Sequence, residues 1–234
     1  MRLRRYLLGL LIIAAVIFTI YLNFDRISLF MISRLYSLDI SYKGMTKDFK
    51  RGFVFEDIRI LNKKMCVGVF SQRATIKPSW GASIFKSVML DFTFKDVHFL
   101  KGESEGKKTT YDTLSQLVAM PFEGRWMYKD VSGRVEIFSN GITVETFSAN
   151  GREARVVVSG DLYYNNIVNI DVTTYFSKDA LKEVPPELHS VIMRDEPNDW
   201  KSFSVKIKGN MKSPSMQVSG KFFRLNIGTA IMNN

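Results

Sequence analysis

Hydrophobic and polar positions divide the chain into an uncharged start and a long region in which apolar and polar residues alternate. Residues 6–24 carry no charged side chain, whereas charged residues flank them on both sides. A helix of that length rises about 28 Å, close to the roughly 30 Å hydrocarbon thickness of a bilayer. The run therefore predicts an uncleaved membrane anchor. The alternatives are a cleaved secretion signal, which normally ends in small residues that this run lacks, and a buried helix.

Basic residues set the expected orientation of this anchor. Arg2, Arg4 and Arg5 precede the uncharged run, and arginines beside a membrane span stay on the cytoplasmic side. We therefore expect a single-pass protein whose N-terminus is cytoplasmic. The bulk of the chain, after Asp25, is expected across the membrane.

Residues 25–40 follow the anchor with a helical period. Their apolar members share one face of the predicted helix: Ile27, Phe30, Met31, Leu35 and Leu38. This pattern predicts a short amphipathic helix. Its apolar face would lie on the membrane surface or plug the end of the following sheet, and we favour the plug because the stripe is short.

Two later segments share the pattern F-x-F-x-D-[IV]-x-[IF]. They are residues 53–60 and 92–99, thirty-nine positions apart. In each segment two alternating aromatic residues are followed by a one-residue phase slip, at Asp57 in the first and Asp96 in the second. We interpret both segments as strands and each slip as a β-bulge that re-aims one strand face. An internal repeat and a chance similarity between two strands are both compatible with the pattern.

Turn signals punctuate the chain from Val131 onward. Asn140-Gly141, Asn150-Gly151 and Asn165-Asn166 separate runs of alternating apolar residues, a pattern typical of β-hairpins. A last strand from Ser215 changes phase around Gly220, which predicts a further bulge. The sheet is therefore expected to be an antiparallel meander.

Two short segments, residues 111–120 and 185–192, have helical patterns and are expected to cap the sheet. The predicted fold class is mainly β. An N-terminal transmembrane helix precedes a twisted antiparallel sheet, either a groove or a meander, with two or three short capping helices. The predicted units are a basic start and anchor at 1–24, an amphipathic helix at 25–40 and a β-rich domain at 41–234.

Charge narrows the classes of partner. The formal net charge is +10, and without the three leading arginines 30 basic residues face 23 acidic ones. Glu103 and Glu105 interrupt the densest basic cluster, at residues 101–108. A moderate, dispersed surplus suits anionic lipid head groups better than nucleic acid, so no nucleic-acid partner is expected. Cys66 is the single cysteine, so it forms no intrachain disulfide and is expected to pack as a small hydrophobe.

Catalytic signatures are missing from the sequence. His98 and His189 are the two histidines, and neither has a second histidine or a cysteine at metal-ligand spacing. The chain also lacks a G-x-S-x-G nucleophile turn and a glycine-rich phosphate loop between a strand and a helix. We expect no enzymatic activity, no cofactor and no metal site.

The order of these features resembles AsmA-like envelope proteins. The resemblance is carried by the basic start, the anchor, the amphipathic helix and the strand at residues 52–60. It also rests on the closing strand, turn and strand at residues 203–216, with Gly209 and Pro214. The chain is much shorter than the large members of that family. In size and layout it is also similar to the N component of type II secretion systems.

The resemblance implies a role in phospholipid handling or outer-envelope maintenance at the bacterial inner membrane, with the bulk of the chain in the periplasm. It implies a non-catalytic protein with a hydrophobic β groove. The expected partners are the membrane, a phospholipid and other envelope proteins. Candidate lipid-facing residues are Phe53, Phe55, Phe92, Phe94, Val168, Ile170, Val172, Phe203, Val205 and Ile207.

Two alternatives accompany this interpretation. The same ten residues would equally form an ordinary closed core. The chain would then act as an anchored scaffold or secretion-system subunit that binds protein partners through the edges of its sheet.

Overall fold

The predicted anchor and most residues of the predicted amphipathic and capping helices lie outside the residues that the structure describes. The structure is a computed structural model, and it describes residues 33–34, 37–48, 52–63, 67–79, 87–101, 120–122, 124–182, 190, 192–211, 213–222 and 224–228. Predictions for residues 6–24, for Cys66 and for His189 therefore fall outside it, as does nearly all of both predicted capping helices. In the part of the chain that is described, no helix has the length and hydrophobicity that crossing a bilayer requires.

Thirteen strands of the described residues form one antiparallel sheet, which confirms the mainly β prediction. The strands are β1 (Leu38–Ser41), β2 (Gly44–Asp48), β3 (Gly52–Asn62), β4 (Val67–Ser79), β5 (Ser87–Lys101), β6 (Met127–Phe138), β7 (Gly141–Gly151), β8 (Ala154–Tyr163), β9 (Ile167–Phe176), β10 (Arg194–Asp195), β11 (Lys201–Asn210), β12 (Ser213–Ser219) and β13 (Arg224–Gly228). Their order in the sheet is β1-β3-β4-β5-β6-β7-β8-β9-β11-β12-β13, with β2 also on β3 and β10 also on β11. Because neighbours along the chain are mostly neighbours in the sheet, the predicted meander is confirmed.

The predicted hairpins form at all three turn signals. β6 and β7 pair from Phe138 opposite Gly141, and β7 and β8 pair on either side of residues 152–153. In the third hairpin Asn166 adopts a φ of 66° and its N–H donates to the Tyr163 carbonyl at 3.0 Å. Asparagine tolerates this left-handed conformation better than most residues, which explains its place in the turn.

The end of the predicted amphipathic helix is a strand. Ser33 and Arg34 are helical, but Leu38–Ser41 forms β1 and pairs with the second half of β3. The Ser33 hydroxyl donates to the Leu38 carbonyl at 2.6 Å, and Ser37 turns the chain with a φ of 54°. Pairing with β1 supplies hydrogen-bond partners for the backbone N–H and C=O groups along this edge of β3. This stabilisation comes from residues distant in sequence, so the helical period of residues 25–40 does not reveal it.

The predicted bulge at Gly220 is wrong, because the chain reverses direction there. β12 ends at Ser219 and pairs with β13, with Ser219 opposite Arg224. Gly220 passes close to the backbone of Ile192, where a Cβ would lie 2.0 Å from the Ile192 carbonyl oxygen. The phase change in the sequence therefore marks a hairpin turn packed against another segment.

The phase slips at Asp57 and Asp96 are real, but they are not isolated bulges. Both residues have positive φ, at 49° and 52°. One residue in each of four neighbouring strands, all at the same level of the sheet, has no paired residue opposite it: Asp57, Gln72, Asp96 and Lys129. The strands pair in the same register before and after this level. The slip is therefore matched from strand to strand, and it ends where the register between β6 and β7 shifts beside Lys129.

One face of the sheet is apolar and carries the core. The larger buried cluster runs from β5 to β12 and contains Val97, Met120, Trp126, Tyr128, Val131, Ala149, Ala154, Val156, Phe176, Ala180, Leu181, Ile192, Met193, Phe203, Val205 and Val218. A smaller cluster around Phe55, Ile58 and Ala74 continues it across β3 and β4. We call this side of the sheet the inner face.

Short segments cover the inner face at one end of the strands, which we call the capped end. A 3₁₀ turn at Met120–Phe122 is fixed by Trp126, whose Nε1–H donates to the Met120 carbonyl at 2.6 Å. Helix α1 (Lys178–Leu181) begins at Ser177, whose side chain accepts from the Ala180 N–H. Ala180, Leu181, Ile192 and Met193 are buried in the main core cluster beside Phe176 and Phe203.

Ion pairs tie the last capping segment to the sheet. Asp195 of β10 accepts from Lys201 at 2.7 Å and from Lys221 at 2.5 Å. These hydrogen bonds, first that of Lys201 and then that of Lys221, lower the pKa of the Asp195 carboxyl from 3.8 to about 2. β10 is thereby joined to β11 and to the turn before β13.

Replacing a covered ring should destabilise the fold strongly. Phe203 is 1% exposed and stacks on Phe176 with ring centroids 6.1 Å apart. We expect Phe203→Ala to lower the free energy of unfolding by about 3–5 kcal/mol, measured by urea unfolding of the detergent-solubilised full chain. Val157, which is 42% exposed, is the control, and Val157→Ala should cost no more than about 1 kcal/mol. Equal losses in the two variants would contradict the described core.

The Asp195 carboxyl should titrate near pH 2 in the folded chain. Because its folded pKa lies below the ordinary 3.8, these ion pairs stabilise the fold above pH 3.8 and stop doing so as the pH falls toward 2. Carboxyl carbon NMR measures the midpoint directly. Lys201→Met should raise it toward 3.8, whereas Lys206→Met, which breaks a different pair with Asp171, should leave it unchanged. A titration midpoint near 3.8 for Asp195 in the wild-type chain would contradict the ion pairs with Lys201 and Lys221.

Candidate functional site

All ten predicted lipid-facing residues lie on the inner face. The pairing register shows this directly: Phe53 and Phe92 both lie opposite Ile76, while Phe55 and Phe94 both lie opposite Ala74. On β9 and β11, Val172 faces Val205 and Ile170 faces Ile207, and Val168 and Phe203 are on the same side of their strands. Side chains alternate between faces along a strand, so these register positions define one continuous surface.

The ten residues differ in how well they are covered. Phe55, Val168, Phe203 and Val205 are buried. The other six are half-buried: Phe53, Phe92, Phe94, Ile170, Val172 and Ile207. Phe55, Phe203 and Val205 belong to the buried core clusters. Five of the half-buried residues pack against these clusters: Phe53, Phe92, Phe94, Val172 and Ile207. A binding surface would therefore consist of the uncovered part of the half-buried set and its neighbours.

A single row of half-buried residues crosses seven strands away from the capped end. We call it the trough row, and by register it runs through Leu90, Val135, Val144, Gly160, Ile170, Ile207 and Met216. Every member is half-buried. Six steps of about 4.8 Å between strands give the row a length of about 29 Å.

A second apolar row lies beside it, one step nearer the strand ends. It contains Val88, Ile137, Ile142, Leu162 and Val168, followed by Gly209 and Pro214. All of its residues except the buried Val168 are at least partly exposed. We call the two rows together the trough. No Asp, Glu, Lys or Arg occurs in either row.

Aromatic rings line the inner face next to the trough row. Phe92 contacts Phe94 with centroids 5.5 Å apart and Phe147 with centroids 6.2 Å apart. Phe92 lies opposite Gly133, where a Cβ would lie 2.6 Å from the ring Cζ. The glycine therefore leaves the space that the ring occupies, and the aromatic surface stays continuous between β5 and β7.

The opposite, outer face of the sheet is polar. Cross-strand ion pairs join Lys95 to Asp130, Arg134 to Asp91 at 2.6 Å and Lys206 to Asp171 at 2.9 Å. These pairs are solvent-exposed and contribute little stability individually. They instead identify the outer face as the one that meets water, whereas the continuous apolar surface lies on the inner face.

The capped end holds two charged clefts. The larger has a volume of about 1180 Å³, and its lining mixes Arg125, Lys129, Arg152 and Arg155 with Asp96, Asp130, Glu153 and Asp179. The smaller, about 530 Å³, lies between α1 and β10. Their opposite charges are interleaved, so neither cleft presents a field of one sign to a ligand.

The described residues do not assemble a catalytic or metal centre. They contain no group of three His, Cys, Asp or Glu side chains that could hold a metal ion. Burial raises the pKa of Tyr128. Its hydroxyl donates to the Pro121 carbonyl at 2.6 Å, which holds the 3₁₀ turn at Met120–Phe122 against the sheet. His98 is half-buried on the outer face, at a position opposite Phe70 and Met127.

Sequence reasoning missed the middle of the trough. Val135, Val144 and Leu162 were recognisable as strand residues, but the candidate list omitted β6, β7 and β8. Their period-2 alternation on either side of Asn140-Gly141 was the available signal. The sequence interpretation also missed α1, although Ser177 followed by Asp179 in the first turn is a typical helix start.

Comparison of the chain with protein-family models, with curated proteins and with solved structures finds no match. The resemblance to AsmA-like proteins therefore stays a prediction from the sequence.

Proposed function

We propose that this chain is a non-catalytic envelope protein of AsmA-like type, anchored in the bacterial inner membrane, whose trough holds phospholipid acyl chains. It would act in phospholipid movement or in maintenance of the outer envelope. One observation carries the proposal: the trough row crosses seven strands without a polar side chain, and each of its residues is only half-buried. Ile207 and Met216 pack against the edge of the main core cluster, and the other five positions of the row continue the apolar surface beyond that cluster.

The dimensions of the trough suit an acyl chain. Half of a bilayer's hydrocarbon core is about 15 Å thick, and that is the depth an acyl chain fills. The trough row is about 29 Å long by strand spacing, so it accommodates one chain along its length. About ten methylenes buried on this surface would contribute on the order of 8 kcal/mol, before the cost of ordering the chain.

The proposed location rests on the first residues of the chain. The uncharged run at 6–24 would anchor the chain, and Arg2, Arg4 and Arg5 would hold its start in the cytoplasm. The part that would be translocated has 30 basic and 23 acidic residues, a surplus that favours contact with anionic head groups.

Photo-crosslinking in cells tests the proposal at single positions. Benzophenone-phenylalanine is placed at Ile170 or Ile207 in the full chain, in cells grown with radioactive phosphate. We expect light-dependent phosphate label on the protein at both positions, because both face the trough. The control is Val157, which is more exposed to solvent than Ile170 and Ile207 but lies on the outer face. Equal labelling at all three positions, or none, would count against a phospholipid in the trough.

Polar substitutions in the trough row should remove the lipid without unfolding the chain. With the crosslinker at Val144, Ile170→Asn combined with Ile207→Asn should reduce phosphate labelling at least about tenfold, because two polar amides would have to be desolvated against an acyl chain. Val157→Asn with the same crosslinker is the matched variant and should keep the label. Circular dichroism establishes that each variant is folded. Undiminished label in the folded double variant would exclude the trough row as the binding surface.

A scaffold role is the second candidate, because the sheet is open. Its edge strands are short, with four residues in β1, five in β2 and five in β13. The edge of an open sheet can add a strand from a protein partner, although short edge strands limit how long that pairing is. Light-dependent crosslinks to protein from Asp39 of β1, together with unlabelled trough positions, would favour the scaffold over the lipid-binding protein.

A further inference from the structure

The larger cleft of the capped end contains charges that do not neutralise one another. We call it the charged cleft. Four cationic side chains, those of Arg125, Lys129, Arg152 and Arg155, share its lining with four carboxylates. In the described part of the chain, no ion pair joins two of these eight side chains. The smaller cleft differs, because two ion pairs cancel charges within its own lining.

Lysines outside the charged cleft neutralise two of its four carboxylates. Lys95 pairs with Asp130, and Lys182 pairs with Asp179 at 2.8 Å. The other two carboxylates are those of Asp96 and Glu153, and among the described residues they have no ion pair. The cleft therefore presents a ligand with cationic groups and with two carboxylates that still lack a counter-charge.

Two indole rings orient arginines of the charged cleft. The Arg125 Cζ lies 4.7 Å from the ring centroid of Trp126, and the Arg155 Cζ lies 4.2 Å from that of Trp200. Trp126 is itself buried and held by its hydrogen bond to the Met120 carbonyl. A guanidinium that lies over a ring keeps N–H groups at its edge for an oxyanion, and it loses less freedom when that oxyanion binds.

Backbone features place the remaining charges of the cleft. Asp96 and Lys129 lie at the level of the sheet where the ladder leaves residues unpaired, and Asp96 has a φ of 52°. Arg152 and Glu153 form the turn between β7 and β8. The Glu153 carbonyl accepts from the Ser177 N–H at 2.8 Å, which ties this turn to the start of α1. The charges thus come from separate segments that the fold brings to one cleft.

We propose that the charged cleft binds a zwitterionic phosphate ester, a small molecule that carries a phosphate diester and a primary ammonium group. Arg125, Arg152 and Arg155 would hold the phosphate oxygens, since guanidinium N–H groups match phosphate geometry. Asp96 and Glu153 would accept from the ammonium. The cleft volume of about 1180 Å³ leaves room for such a molecule, because ligand pockets measure roughly 300–1,000 Å³.

A ligand with both charges fits this lining better than a ligand with one. A simple anion would meet Asp96 and Glu153 without a counter-charge for them, and a simple cation would be repelled by the arginines. The same zwitterionic chemistry occurs in free glycerophosphoethanolamine and in the head group of phosphatidylethanolamine. The site lies at the capped end, so the proposal does not require that the trough holds lipid.

Equilibrium dialysis of the detergent-solubilised full chain tests the site with three radiolabelled probes. Glycerophosphoethanolamine carries both groups, glycerophosphoglycerol carries the phosphate diester without the ammonium, and ethanolamine carries the ammonium without the phosphate. We expect the first to bind about tenfold more tightly than either of the others, because hydrogen bonds between charged groups are lost in each case. Equal affinities for the three probes, or no binding of the first, would overturn the proposal.

Variants assign the two halves of the site, and circular dichroism establishes that each is folded. Asp96→Asn combined with Glu153→Gln should abolish the preference for glycerophosphoethanolamine over glycerophosphoglycerol. Arg155→Gln should weaken both esters about tenfold. The matched control is Arg134→Gln, which removes an exposed arginine outside the cleft and should change neither affinity. A preference that survives the double variant, or an equal loss in the control, would count against the site.

Phosphatidylethanolamine in the detergent micelles distinguishes the two sources of the ligand. If it competes with glycerophosphoethanolamine, the site takes the head group of a lipid. If binding of the soluble ester is undiminished, the site takes a free ester. Phosphate crosslinking from Ile170 reports occupancy of the trough separately, so the two proposals can fail independently.

Discussion

Covering one apolar face of a single-layer sheet is the constraint on which the rest of this structure depends. The path from β1 to β13 has no second sheet among the described residues, so its inner face must be covered by short segments or by its own side chains. Those segments gather at one end, where Tyr128, Phe176 and Phe203 are almost fully buried. Away from them, the same face continues with half-buried residues. The division between core and trough thus follows from where the covering segments end.

A matched irregularity keeps the inner face apolar across four strands. A slip in one strand alone would turn its remaining apolar residues to the outer face. Here Asp57, Gln72, Asp96 and Lys129 are unpaired in the ladder at the same level. The apolar side chains of all four strands therefore stay on the inner face beyond this level. The Ser71 hydroxyl lies 2.7 Å from the Lys95 carbonyl oxygen and 2.9 Å from that of Arg73, so its single O–H donates to one of these two backbone acceptors where the ladder is interrupted.

Features encoded in neighbouring residues were predictable, whereas features set by distant contacts were not. Alternation and the asparagine turns gave the meander from β6 to β9, and the paired aromatics correctly placed Phe53 and Phe92 on one face. The turn at Gly220 was missed because the close contact that it makes, with the backbone of Ile192, involves a different segment. The burial of Phe55 and Phe203, compared with the half-burial of Ile170, was likewise hidden from the sequence. Both kinds of residue are apolar and alternate identically, and only tertiary packing separates them.

At one position of the trough row, Gly160, a larger side chain cannot be introduced without moving the backbone. Gly160 lies between Val144 and Ile170 with a φ of 132°, and a Cβ there would lie 2.1 Å from the Asn169 carbonyl oxygen. A side chain at this position would need the backbone of β9 to move. The row therefore has a fixed notch one residue wide between larger apolar side chains. Because the notch is set by the backbone, the shape of the trough at its centre is determined by the fold itself, while its two ends depend on side chains that substitution can change.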